Sequence, residues 1–285
     1  MQSPAGEGRN RTGDSVWSRR AQRRSHRMQD LDLPTPDLFV AALGRSGSTL
    51  LANLLTTPPH RWLLVEPRFA DASTGRDVIA QARSFGLDVE PGEWLPRPGE
   101  TPPQRIGRVF GERLRRLQRW GLKEVRPNLL EPTLTRLRPK RVVVLVRDLR
   151  DVALSLYEKS LRDNHPERGE AWLRDYLIAA PTGVLAVASA ATGPNHRVVR
   201  YEDLVGDPAY RAELASWLDW PLDGQPDRNL AELYGRGQEV ERHAGAVTDR
   251  SLHRHRDPSL PAAARDLVAW AHERVPEFQQ RFGYA

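Results

Sequence analysis

Between Pro36-Asp37 and Gly44 the chain reads Leu-Phe-Val-Ala-Ala-Leu, a continuous apolar run from Leu38 to Leu43. A strand apolar on both faces must be covered on both, which places it inside a parallel sheet rather than on an antiparallel sheet with one wet face. Four more short strand candidates follow at Trp62 to Glu66, Gly121 to Val125, Arg141 to Arg147 and His196 to Tyr201. Helical stretches separate them: Thr49 to Thr56, Gln104 to Arg119, Pro127 to Leu137, Asp151 to Arg162, Gly169 to Ala180, Pro181 to Ala191 and Pro208 to Leu218. This alternation predicts an α/β fold, a single domain with a central parallel sheet flanked by helices. The Pro/Gly-rich segment Pro91 to Pro103 reads as a surface excursion. Pro258 to Phe282 reads as one closing helix after a polar, His/Arg-rich loop. No internal repeat is visible.

The 285 residues supply apolar material for one sizeable core but not for several domains. Cysteine is absent, which excludes disulfides, thiolate metal sites and a cysteine nucleophile. The apolar runs fall well short of the roughly 20 residues a membrane-spanning helix needs, so no span is expected. Of the formal charge of +6, most lies in residues 1–30, where Arg9, Arg11, Arg19, Arg20, Arg23, Arg24 and Arg27 face only Glu7, Asp14 and Asp30. So polar a segment cannot offset its ordering entropy. Residues 1–36 are therefore expected to form a disordered Arg-rich tail, and residues 37–285 the folded domain. The tail lacks the apolar stretch of a secretory signal, which favours a cytoplasmic protein. Lysine occurs only at Lys123, Lys140 and Lys159, the rest of the 43 basic residues being arginine, so each lysine invites inspection.

In open parallel sheets, ligands bind beyond the carboxyl ends of the strands. Those ends hold Gly44 to Thr49, Glu66, Lys123, Arg147 to Ser155 and Tyr201. The loop Gly44-Arg45-Ser46-Gly47-Ser48-Thr49 follows a buried strand and opens a helix, so backbone N–H groups and the helix dipole converge on one anion-favouring spot. This is a P-loop-like strand-loop-helix arrangement, but not a Walker A motif: Ser48 stands where a nucleotide triphosphatase has its lysine. After the fourth strand, Arg147 and Ser155 bracket the start of the next helix, where both could grip a second anion. Each feature has a plain alternative, since Gly/Ser turns often bind nothing and Arg/Asp clusters often merely cap helices. Together they are far more specific.

The two motifs resemble those of the sulfotransferase superfamily that uses 3′-phosphoadenosine 5′-phosphosulfate. The GRSGSTLL segment at 44–51 is similar to its 5′-phosphosulfate loop, and Arg147 with Ser155 is similar to its 3′-phosphate motif. VVRYEDLVGDP at 198–208 is similar to the RYEDL segment of many members, where the tyrosine, here Tyr201, lies by the nucleotide. The resemblance runs from about Phe39 to the final FGY and leaves out the tail. Small-molecule members of the cytosolic branch have a tryptophan where this chain has Leu50, a histidine where it has Val125, and a C-terminal RKGxxGxWK motif that it lacks. The chain looks more like the Golgi-type and bacterial branches, whose base is a glutamate just after the second strand, the position of Glu66.

The resemblance implies in-line sulfuryl transfer to an acceptor hydroxyl, on a small molecule, glycan or lipid. Such chemistry needs positioning and charge stabilisation more than covalent catalysis. It implies that Arg45 and the loop amides stabilise the transferring group, that Lys123 leans on the bridging oxygen, and that Glu66 takes the proton. Arg254, in the loop from Glu241-Arg242-His243 to Arg256, is expected over the 3′-phosphate. His60 is the rival base, though it precedes the second strand and so sits at its opposite end. No metal-ligand cluster is visible in the sequence and none is expected to be required. Two other functions compete: a P-loop small-molecule kinase or nucleotide hydrolase, and a non-enzymatic binding protein acting through the basic tail. The body itself is not expected to bind nucleic acid.

Overall fold

The computed structural model describes residues 31–71, 76–163, 169–226 and 247–284. The tail at 1–30 and the Glu241 to His243 part of the late loop lie outside the described residues. Strands β1 (Leu38–Ala42), β2 (Arg61–Val65), β3 (Arg119–Glu124), β4 (Arg141–Val146) and β5 (His196–Arg200) form one sheet in the order β2-β3-β1-β4-β5. All four pairings are parallel, so this is the expected α/β architecture. β1 sits at the centre and is fully buried because its side chains feed two cores. Phe39, Ala41 and Leu43 join the core on one face, and Leu38, Val40 and Ala42 join the core on the other.

Helices α1 (Ser48–Leu55), α2 (Arg76–Phe85), α3 (Pro102–Arg115), α4 (Pro127–Leu137), α5 (Leu149–Asp163) and α6 (Glu170–Ala190) follow in chain order. They are succeeded by α7 (Tyr201–Gly206), α8 (Pro208–Leu218), α9 (Ala262–Arg274) and α10 (Pro276–Phe282). The chain leaves β1 toward β2 on one side and leaves β4 toward β5 on the other. The crevice between the carboxyl ends of β1 and β4 is therefore the topological switch point, the usual ligand position in such sheets.

Several expectations need correction. The helix boundary expected at Pro181 is absent, because α6 runs through it. Proline costs that helix one backbone hydrogen bond, but Leu173, Leu177, Ala180, Val184 and Val187 form one buried stripe spanning the proline and hold the axis. The single closing helix is instead two, α9 and α10, broken at Val275 (φ −131°, ψ 62°), since a residue before proline is pushed out of helical geometry. Helices α2 and α7 were not expected. The excursion at 91–103 contains a 3₁₀ turn, Pro91–Trp94, tied down by Arg113 to the Glu93 carboxylate at 2.8 Å and by Arg108 to the Glu93 carbonyl, also at 2.8 Å. The packed body begins before residue 37: Leu31 and Leu33 lie against the core, and Asp32 pairs with Arg115 at 2.5 Å. Among the described residues no helix is long and apolar enough to cross a membrane.

Candidate active site

The first loop leaves β1 at Leu43 and enters α1 at Ser48. Gly47, the residue before the helix, has φ 82° and lies against the Tyr201 ring with no room for a Cβ. Gly44 donates its N–H to the Tyr176 hydroxyl at 2.8 Å. The Ser46 side chain turns inward and donates to the Leu43 carbonyl at 2.7 Å, so its hydroxyl braces the loop rather than facing the crevice. The first N–H groups of α1 have no carbonyl one turn behind them within the helix, which leaves them directed out of its end as a place for negative charge. Thr49 is half-buried in this first turn.

Lys123 enters from β3. Parallel pairing sets it opposite both Val40 of β1 and Val65 of β2. Its neighbour on the β2 side is thus the residue immediately before Glu66. Its side chain is only 3% exposed; its ammonium donates to Glu66 Oε1 at 2.8 Å and to Ser48 Oγ at 3.3 Å. The Glu66 side chain is 34% exposed, so the carboxylate faces Lys123 on one side and opens toward solvent on the other. His60 is exposed before β2, at the opposite end of the strand from Glu66. Behind Lys123, burial pushes the Glu124 carboxyl up, against the pull of Arg126, which bonds it at 2.8 Å. Arg126 also donates to the Glu66 carbonyl at 2.8 Å, fixing the turn that presents the carboxylate.

Across the switch point, Arg45 donates through Nε to Ser155 Oγ at 3.1 Å, and Arg147 donates to the Arg45 carbonyl at 3.0 Å. The two regions read separately in the sequence are thus hydrogen-bonded into one structure. Arg147 is buried, donates also to the Ser251 carbonyl, lies 4.6 Å from the centre of the Tyr201 ring and leaves its Nε unbonded. Tyr201 is buried, and its hydroxyl meets Ser251 Oγ at 2.6 Å. Ser251 belongs to a strap, residues 249–256, which Asp151 at the start of α5 clamps through the N–H groups of His253 (2.8 Å) and His255 (3.1 Å) and through His255 Nδ1 (2.8 Å). Arg254 lies on this strap with its guanidinium held by Glu158 of α5.

Backbone strain concentrates here. Among the described residues, six non-glycine positions have positive φ. Arg138 and Asp219 are helix C-caps, where that conformation is ordinary. The other four are Arg45, Glu66 and His253, which carry contacts around this crevice, and Arg68, two residues after Glu66. Such residues cost about 1–3 kcal/mol each and persist where the surroundings over-determine them. Tyr176, the clamping role of Asp151 and the place of Ser251 beside Arg147 went unnoticed in the sequence. Their partners are separated by a hundred residues or more, which no local pattern reports. Tyr176 is half-buried on α6, and burial pushes its hydroxyl pKa up to about 12, so it stays a neutral hydrogen-bonding group. Among the described residues no group of three or more His, Asp or Glu stands where it could hold a metal ion.

The fold matches that of solved sulfotransferase domains. The chain superimposes on a sulfotransferase domain from the olefin synthase of Synechococcus PCC 7002 with a TM-score of 0.57 and 18% identity, over 90% of this chain and 99% of that one. It is similar also to the sulfotransferase domain from the curacin biosynthetic pathway, with a TM-score of 0.60 and 15% identity, over 89% of this chain and 99% of that one. At these identities the likeness is one of fold. No protein-family model and no curated protein matches the sequence.

Proposed function

We propose that this protein is a sulfotransferase that moves the sulfuryl group of 3′-phosphoadenosine 5′-phosphosulfate to the hydroxyl of an acceptor. The observation that carries the proposal is the Lys123 ammonium, buried and bonded to both Glu66 and Ser48. It gathers a carboxylate, a cation and the start of the anion loop into one hydrogen-bonding group at the carboxyl ends of β2, β3 and β1. The acceptor oxygen attacks sulfur in line as the bond from sulfur to the 5′-phosphate oxygen breaks. Glu66 takes the hydroxyl proton, and Lys123, Arg45 and the amides of Gly47 to Thr49 take up the charge gathering on the departing phosphate. Each such donor is worth about 3 kcal/mol of barrier. Arg147, Ser155 and Tyr201 hold the nucleotide's 3′-phosphate side, with the 249–256 strap closing over Arg147 and Arg254 available from the same strap.

In this proposal positive charge comes from the protein, so transfer proceeds without a divalent metal. The acceptor is a hydroxyl compound, and the basic tail is dispensable for turnover. The test uses full-length protein and a chain lacking residues 1–30. Saturating 3′-phosphoadenosine 5′-phosphate, at about 100 times its Kd, should stabilise both by about 2.7 kcal/mol. Labelled donor with a panel of hydroxyl acceptors should give transfer that survives EDTA. Stabilisation by ATP and magnesium but not by the bisphosphate would overturn the proposal in favour of a kinase. Loss of all ligand response on removing the tail would favour a binding protein.

A further inference from the structure

On the far side of the sheet from Lys123, β5 is an edge strand, with β4 on one side and, among the described residues, no strand on the other. The Val142 N–H donates to the Asn195 carbonyl at 2.9 Å, and Val142 is in register with His196. In a parallel ladder that phase turns the N–H and C=O of Arg197 and Val199 toward β4 and those of Val198 outward. Val198 is a valine 37% exposed, and among the described residues its outward amide and carbonyl meet no partner. Beside it runs a groove of about 360 Å³, lined on the two sides of the edge by Arg197, Arg200 and Arg281 against a single acid, Asp203.

Arg197 is already paired with Glu213 at 2.6 Å. Arg200 and Arg281 have no carboxylate within ion-pair distance among the described residues, although Glu202 and Asp203 lie near enough to Arg200 to act on its charge. Arg200 lies 4.5 Å from the centre of the Tyr284 ring, with its Nε buried and unbonded. Arg281 is exposed on α10. An unpaired edge is a template for another strand, and proteins commonly place charge on it to keep copies of themselves apart. Arg200 on the strand and Arg281 on the neighbouring α10 do that here: a second copy would bring like charges together. The same arrangement favours an extended chain of opposite sign.

We propose that the β5 edge is a docking site for an acidic, extended polypeptide segment, which adds beside Val198 as a sixth strand with its carboxylates on Arg200 and Arg281. Backbone pairing gives such a contact its direction, and the arginines select the charge. The site is separate from the transfer chemistry and stands or falls without it.

The test is fluorescence anisotropy on the full-length protein, without donor or acceptor. The labelled probe is a short peptide of alternating glutamate and valine, compared with its lysine counterpart and with the same acidic peptide N-methylated at alternate amides. The acidic peptide should bind, and the lysine peptide should not. N-methylation in the pairing register should abolish binding while leaving charge intact. Arg281→Glu, a change at an exposed side chain, should weaken binding about tenfold or more, as expected for turning an attractive contact repulsive. Val198→Pro removes the outward N–H at a position where an edge strand tolerates proline, and should weaken binding with an unchanged circular dichroism spectrum. Equal affinity for the N-methylated peptide would overturn strand addition, and an unaffected Arg281→Glu variant would overturn the charge argument. Sedimentation showing self-association that Val198→Pro removes would assign the edge to a second copy and also refute the proposal.

Discussion

Gly44→Ala would set a methyl group well inside van der Waals contact of the Tyr176 hydroxyl, with the ring carbon bearing it 3.3 Å away. Gly44 is not among the residues with positive φ, so its backbone conformation is open to alanine and the cost is steric. Tyr176 cannot easily retreat, because its ring stacks on Trp172 (5.5 Å, 16°) and its hydroxyl lies between the Gly44 amide and the Val125 carbonyl. Overpacking of this kind costs about 1–3 kcal/mol. Tyr176→Phe alone removes the acceptor of the Gly44 N–H and should cost about 1–3 kcal/mol for the donor left without a partner. The double variant removes the hydroxyl that the new methyl would strike and leaves a 3.3 Å contact to the ring carbon, which a shift of a few tenths of an ångström relieves. It should therefore be about as stable as Tyr176→Phe, giving a coupling of about 1–3 kcal/mol in favour of the pair, whereas independent sites add to within about 0.5 kcal/mol. Urea unfolding of the four proteins measures this through midpoints at constant m-value. Additive losses in the double variant would refute the placement of Tyr176 against the loop, and with it the view that α6 sets the loop's position.

Glu66→Gln should lower turnover by roughly 10² or more while nearly preserving bisphosphate binding, and His60→Ala should be mild; kcat for both against one acceptor, with Kd in parallel, decides between the two bases. Arg147→Ala should reduce the melting shift given by 3′-phosphoadenosine 5′-phosphate far more than Arg162→Ala, an exposed change on α5, and equal shifts would remove Arg147 from the nucleotide site. Burial opposes ionisation of Asp151, but His255, Arg147 and the His255 amide outweigh it and hold its carboxyl below the ordinary 3.8. A carboxyl with a lowered folded pKa contributes stability that is complete above its unfolded value and fades as pH falls through the folded one. Asp151→Asn should therefore be less stable than the parent at neutral pH, with the difference shrinking in acid below pH 3.8; a constant difference across that range would show that Asp151 does not anchor the strap through its charge.

The elements legible in the sequence were those whose cause is local. Leu38 to Leu43 is apolar on both faces, so it could only be an inner strand, and Gly44 to Thr49 joins a buried strand to a helix by a turn that needs a left-handed residue at Gly47. The positions of Glu66, Lys123 and Arg147 at strand ends followed from the same alternation. Their meeting did not. Lys123 reaches Glu66 only because β3 pairs between β1 and β2, and the sheet order is a long-range choice that no window of the sequence contains. Arg147 touches the first loop only because β4 lies on the other side of β1. Local rules also failed where packing overrode them, as at Pro181, whose lost hydrogen bond is outweighed by a buried stripe on either side. Backbone propensity, periodicity and turn chemistry act over a few residues and were decided by the sequence itself. The joining of Tyr176 to Gly44 and of the Ser251 strap to Arg147, and the exposure of the β5 edge, depend on which distant surfaces cover one another, and only the tertiary structure decided them.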